Sequence, residues 1–358
     1  MRLAIAAMLT CALSASPAPG DAGGLAIGDP APPIPASARW VQGEQVGALD
    51  DGRIYVLDFW ATWCGPCIAS IPEVQSMHAD LAGDGVVVIG AHIWASPDAP
   101  TPDAFLGEIG DAMGYRIAED TDGALARDFM DAAGRNGIPT MMVIDRAGTL
   151  VWIGHPMDGA RDVVERVVAG TFDTDAAVEA EAQRERARAA AADANRLARE
   201  GDWDGALAKI DEAIELDPDG HRQLAVVKVQ RLALTLDRED DAWAYGRTLV
   251  DGLLRDDAAL LNNLARFIVE APRLEPRDFA LARAAAMRSL EVTDDTFADA
   301  MATLASIEFG EGRLEQAVEM QRRALAIAKG QESSLVREFE LKLERYEEAW
   351  SKAKPPPF

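Results

Sequence analysis

Cys64 and Cys67 stand two residues apart in Trp63-Cys64-Gly65-Pro66-Cys67, a spacing at which two thiols can close a small disulfide and reopen it. The run before them, Ile54-Tyr55-Val56-Leu57-Asp58-Phe59-Trp60, is apolar apart from one carboxylate and reads as a buried strand. Cys64 is therefore expected where a strand turns into the first turn of a helix. There the unpaired backbone N–H groups and the positive end of the helix dipole favour a thiolate, the form that attacks a disulfide. The same spacing also suits a structural disulfide or half of a zinc site. Structural zinc usually takes four ligands, and no second cysteine pair exists. His78, His92, His155 and His221 are scattered without ligand spacing. No metal and no separate cofactor are expected; the redox group is the Cys64–Cys67 pair itself.

The elements around this pair follow from pattern. Val86-Val87-Val88-Ile89-Gly90 reads as another strand, as do Met141-Met142-Val143-Ile144 and Thr149-Leu150-Val151-Trp152-Ile153-Gly154, joined by the turn Asp145-Arg146-Ala147-Gly148. Asp58 lies six residues before Cys64 inside its apolar strand, where a lone carboxylate is costly unless it has a role or a partner. The bland alternative is a solvated carboxylate at a sheet edge.

The stretch Asp58-Phe59-Trp60-Ala61-Thr62-Trp63-Cys64-Gly65-Pro66-Cys67 resembles thioredoxins, and more narrowly the secreted TlpA-like disulfide reductases. Gly137-Ile138-Pro139-Thr140 and the two strands after it form a second matching block, so the resemblance spans about residues 25 to 172. It implies an α/β thioredoxin fold, a central mixed sheet flanked by helices. It implies that Pro139 is cis and faces the dithiol, in place of an ordinary trans turn proline; only about 5% of X-Pro bonds in folded proteins are cis. Ile138 would then offer backbone groups to an extended substrate peptide. The resemblance makes Cys64 the nucleophile, Cys67 the resolving thiol and Asp58 the buried proton acceptor for Cys67. Many TlpA-like reductases carry asparagine at that place and a glutamate three residues after the second cysteine, where this chain has Ser70. The relay thus looks like that of cytoplasmic thioredoxin, while Thr62 looks TlpA-like. Trp63, Gly65, Pro66, Ile138, Thr140 and Gly154 are the implied substrate-binding residues, with a plain turn glycine as the alternative for Gly154. Trp60 is expected in the core, and Pro72 falls where the thioredoxin helix is kinked.

Residues 1–22 read as a secretory signal peptide: Arg2, an apolar stretch from Leu3 to Leu13, then small residues. Cleavage is expected between Ala15 and Ala22. Lipid anchoring at Cys11 is not expected, because Thr10 before it is larger than such sites prefer. A reactive dithiol on an exported chain points to a periplasmic or secreted location, where another protein must keep the pair reduced. The formal net charge of −25 over 358 residues argues against nucleic acid and anionic membrane surfaces as partners.

After a thioredoxin-like domain over 23–172, strand patterns cease. Residues 173–195 are expected as a helical linker and 196–350 as helical repeats, with a disordered tail over 351–358. Gly201-Asp202-Trp203-Asp204-Gly205-Ala206 leads to Ala213 and Leu216-Asp217-Pro218, resembling a tetratricopeptide repeat, and Gly312-Arg313-Leu314-Glu315-Gln316-Ala317 leads to Ala324. With weaker echoes at Trp243 and Phe279, the small anchoring residues are expected to be Ala206, Ala244, Ala282 and Ala317. Stacked hairpins of this kind build an all-α, TPR-like solenoid; the alternative is a plain helical bundle.

The function expected from these features is an extracytoplasmic oxidoreductase that reduces disulfides of exported proteins. It would be served by an upstream thiol donor, with a protein partner for the repeats. A disulfide donor or isomerase of the same fold, and a repeat scaffold in which the dithiol is secondary, are the rivals. A peroxidase does not fit, because Thr62 lies two residues before Cys64 rather than three.

Overall fold

The computed structural model describes residues 24–353 apart from residue 273. The expected signal peptide, Cys11 and residues 354–358 of the expected tail lie outside the described residues. The chain divides between Glu181 and Ala182 into two compact units.

The first unit is built on a six-stranded mixed sheet: β1 (Arg39–Gln42), β2 (Ile54–Trp60), β3 (Val86–His92), β4 (Arg116–Glu119), β5 (Thr140–Ile144) and β6 (Leu150–Gly154), in the spatial order β1-β4-β3-β2-β5-β6. β2 runs parallel to β3, and β3 to β4, while β5 pairs antiparallel with β2 and β6 with β5. β2 is central and buried along its whole length, which is why its sequence reads as an unbroken apolar run rather than an alternation. Successive side chains still take opposite faces. Ile54, Val56 and Trp60 join the core under α1 (Gly65–Leu81), whereas Tyr55, Leu57 and Phe59 join the core on the other side. Asp58 has the parity of the first set.

Two shorter α-helices belong to the unit, α2 (Pro102–Ile109), capped by Thr101, and α3 (Ala160–Val168), together with a π-helical segment over Ala126–Asp131. Pro72 sits inside α1.

α4 (Thr174–Glu200) carries the chain from one unit into the other as one uninterrupted helix. The stretch expected as a helical linker over 173–195 is helical, and the helix runs on to Glu200. Ala187, Ala190 and Ala194 are buried, small residues that let other elements pack close to this stretch.

The second unit is all helical: α5 (Trp203–Leu216), the short α6 (Pro218–His221), α7 (Gln223–Leu234), α8 (Glu239–Asp251), α9 (Ala258–Glu270), α10 (Phe279–Val292), α11 (Ala298–Gly310), α12 (Leu314–Gly330) and α13 (Val336–Ala353). Neighbours in sequence pack as hairpins, α7 on α8, α9 on α10 and α11 on α12, with α13 against α12, in keeping with a TPR-like repeat. The repeat register differs from the expected one in α8. Ala206, Ala282 and Ala317 are buried in α5, α10 and α12, but Ala244 is exposed, and Ala242 is the fully buried residue at the same place, fourth from its helix start. The weak Trp243 echo set the frame two residues late. α13 also continues through Ser351–Ala353, past the expected start of the tail, with Lys352 paired to Glu348 one turn back.

Candidate active site

β2 ends at Trp60, and four residues later Cys64 is the N-cap of α1, in an extended conformation, with Pro66 in the first turn where its missing N–H costs nothing. The backbone N–H of Cys67 donates to Cys64 Sγ at 3.2 Å. A sulfur in this position satisfies one of the orphan donors of the helix start, and negative charge on it is favoured by that bond and by the dipole. Cys64 and Cys67 form a disulfide with their Cα atoms 5.2 Å apart. Gly65 and Pro66 are exposed beside it, and Trp63 is about half exposed.

The Ile138–Pro139 bond is cis, and the Ile138 carbonyl oxygen lies 3.8 Å from Cys64 Sγ. The fold thus brings the loop before β5 against a sulfur 74 residues away in sequence. Thr140 is buried, and its hydroxyl donates to the Gly137 carbonyl at 2.8 Å, so its side chain holds the turn. Gly154 has a local reason to be glycine: a Cβ there would fall 2.3 Å from the Trp152 ring. Gly154 ends β6 and is not a turn glycine.

Asp58 is 2% exposed, its Oδ1 has no hydrogen-bond partner, and it faces the α1 side of the sheet on the strand paired with Gly90 of β3 and Met141 of β5. Burial alone pushes its carboxyl up to about 7. It can therefore hold or release a proton near neutral pH. Ser70 does not replace the missing glutamate, since its hydroxyl donates to the Cys67 carbonyl.

Residues that the pattern of the sequence did not single out complete the surroundings. His92, at the end of β3, accepts the backbone N–H of Thr62 on Nε2 at 3.3 Å and packs edge-on against Trp60. Burial lowers its proton affinity, and the neutral ring is the form that can accept this bond. Thr62 donates its hydroxyl to Pro100, and Trp63 its indole N–H to the carbonyl of Trp94, whose φ is 52°. The segment leading into Cys64 is thus held by three contacts, one to the end of β3 and two to the chain between β3 and α2. An isolated histidine carries no spacing signal, so only the paired strands reveal it. Tyr115, just before β4, is buried near Asp58 with an unpartnered hydroxyl. Among the described residues no group of three or more His, Cys, Asp or Glu side chains could hold a metal ion.

A strand, a thiolate-stabilising helix start, a cis-proline loop beside the sulfur and a buried carboxyl make an arrangement suited to thiol–disulfide exchange. Residues 26–167 match the Redoxin family model. The N-terminal domain is a redoxin. Two relatives of this redoxin domain are Protein FixW of Rhizobium leguminosarum, 28% identical over 42% of this chain and 70% of that protein, and the thiol:disulfide interchange protein HelX of Rhodobacter capsulatus, 30% identical over 35% and 66%. Among solved structures, a thiol-disulfide isomerase from Corynebacterium glutamicum is 23% identical, covering 40% of this chain and 97% of that one with a TM-score of 0.33.

Proposed function

We propose that this chain is a thiol–disulfide oxidoreductase that reduces disulfides of exported proteins through its redoxin domain. The observation that carries this reading is the seat of Cys64: its sulfur caps α1, accepts the Cys67 N–H and lies against the cis-proline loop. In the reduced protein the Cys64 thiolate attacks one sulfur of a substrate disulfide, forming a mixed disulfide and releasing the other substrate sulfur as a thiolate. The Asp58 carboxylate takes the proton of the Cys67 thiol. Cys67 then attacks Cys64 Sγ, the bond to the substrate breaks, and the substrate leaves as a thiolate that is protonated by water. The Cys64–Cys67 disulfide remains, and an upstream thiol donor returns two electrons to it.

Backbone groups at Ile138 and the exposed faces of Trp63, Gly65 and Pro66 are the proposed contacts for the substrate chain. The reducing direction is supported by the Gly-Pro pair between the cysteines, which resembles reducing thioredoxins. A periplasmic location is supported by the leader-like N-terminus, and by relatives named as thiol:disulfide interchange proteins. No helix among the described residues is long and apolar enough to cross a membrane. The TPR-like unit is proposed to hold a protein partner.

The deciding measurement is the reduction potential of the Cys64–Cys67 pair, read by equilibrating the protein in dithiothreitol or glutathione buffers and trapping free thiols. A value near about −270 mV, that of thioredoxin, is expected; a value near about −120 mV would make the protein a disulfide donor. Cys64→Ser abolishes exchange in either case, and a variant that kept full biological effect would favour the scaffold reading.

A further inference from the structure

Gly90 is the point around which three unpartnered buried polar groups gather. On β2, paired residue to residue with Gly90, is Asp58, whose Oδ1 has no partner. On the other side, Gly90 pairs with Ile117 of β4. Tyr115 lies two residues before Ile117 and so takes the same face of the sheet; it is 1% exposed and its hydroxyl also has no partner. The third group is the indole N–H of Trp60. A Cβ at Gly90 would come within 3.1 Å of both the Tyr115 ring and Trp60 Nε1, and within 2.8 Å of Ile117 Cδ1. The missing side chain is therefore what lets the Tyr115 ring lie across β3 toward Asp58.

A buried donor or acceptor without a partner costs about 1–3 kcal/mol, and such groups are uncommon in folded proteins. An acceptor and two donors left open on one small patch behind a dithiol call for an explanation. Asp58 supplies it, because its hydrogen-bonding needs change when it ionises. The protonated carboxyl presents little charge to its surroundings, whereas the carboxylate in an apolar core needs donors.

We propose that Tyr115 is a positioning residue for the redox reaction, its hydroxyl donating a hydrogen bond to the Asp58 carboxylate when Asp58 loses its proton. This rests on the reading of Asp58 as the proton acceptor for Cys67. Burial, and then the nearby charge of Asp58, hold the phenol far above its ordinary range, so Tyr115 keeps its proton at every working pH and is a permanent donor. Other groups face the patch as well, among them His78, whose Nδ1 is also without a partner. Met141 from β5 is apolar, and at the resolving step Cys64 is held uncharged in the mixed disulfide while Cys67 is the thiol whose proton Asp58 takes. His78 from α1 meets the Tyr115 ring edge-on at 6.1 Å, and burial together with Arg116 favours its neutral form. Tyr115 thus makes the ionised form of Asp58 accessible at a lower pH than burial alone would allow, and so makes Cys67 a competent attacking thiol there.

The test follows the reduced protein mixed with 5,5′-dithiobis(2-nitrobenzoate) in a stopped-flow instrument from pH 5.5 to 9. Attack by Cys64 releases one coloured thiolate, and resolution by Cys67 releases a second. Tyr115→Phe, which removes only the oxygen, is expected to move the pH midpoint of the second phase upward by roughly one to two units, the size of a hydrogen bond to a charged group, and to leave the first phase unchanged. In an Asp58→Asn background the same change is expected to do nothing to the profile. A second-phase midpoint that stays in place in Tyr115→Phe, with only melting temperature affected, overturns the proposal. If Asp58→Asn itself leaves the second phase unaltered, the proton-acceptor reading of Asp58 fails, and the proposal falls with it for that separate reason. Should Tyr115→Phe not fold, uniform replacement of tyrosine by 3-fluorotyrosine keeps the ring and strengthens the hydroxyl as a donor. The midpoint is then expected to move down, and an unmoved midpoint overturns the proposal.

Discussion

Asp58 in the redoxin domain and Glu308 in the helical unit are both carboxylates withdrawn from water, 2% and 8% exposed, and the two units treat them in opposite ways. Glu308, on α11, is gripped by Arg283 of α10 and by Arg313 just beyond its own helix. Burial by itself would raise its pKa, but the hydrogen bonds from Arg313 and Arg283 outweigh burial and hold it below the usual carboxylate range. Asp58 has no cation beside it among the described residues, and burial carries it up to about 7. A carboxylate meant to hold two helices together is paired. One left open is costly in stability and, on the proposed reading of Asp58, free to exchange a proton.

The largest expected effect exploits that cost. A carboxyl whose folded pKa lies above its unfolded value binds its proton more tightly in the folded state, so its contribution is full below about pH 4 and is lost as the pH rises toward about 7. From 3.8 to about 7, at 1.36 kcal/mol per unit, the loss is up to roughly 4 kcal/mol. Denaturant melts at pH 4 and pH 8 are expected to show Asp58→Asn nearly matching the parent at the lower pH and exceeding it at the higher, while its dithiol exchange slows. Equal stability of the two proteins at both pH values would break the contrast with Glu308.

A smaller effect comes from Gly90→Ala. Its methyl meets Ile117, Tyr115 and Trp60 at 2.8 to 3.1 Å, and overpacking of this kind costs about 1–3 kcal/mol. A thermal melt checks the loss. The exchange rate should fall as well, because the displaced ring is the one that reaches toward Asp58.

Glu308→Gln sharpens the comparison from the other side. It removes the charge that Arg283 and Arg313 share, with an expected loss of about 1 kcal/mol, the upper worth of an ion pair whose cations are partly exposed. Dithiol exchange should not change. A change in exchange without a change in stability would mean that the paired carboxylate also serves the reaction.

The dithiol, the strand before it and the proline loop were legible because each is a local pattern: Ile54–Trp60 is β2 residue for residue, and helix capping at Cys64 follows from a cysteine placed just before Gly-Pro. The helical hairpins were legible for the same reason, since small residues recur at one helix position. Where the repeat signal was weakest, at Trp243, the frame slipped and named Ala244 in place of Ala242.

What the chain order determined by itself, then, was the kind of chemistry and the elements that carry it, because helix and strand patterns depend on neighbours two to four residues apart. Tertiary structure alone decided what surrounds that chemistry. Tyr115 reaches the patch beside Asp58 only because β3 lies between β2 and β4 and has glycine at the crossing point. His92 meets Thr62 only because β2 and β3 end side by side. A side chain at position 154 would meet the Trp152 ring. These contacts depend on strand order and register, which long-range packing fixes and no local spacing records.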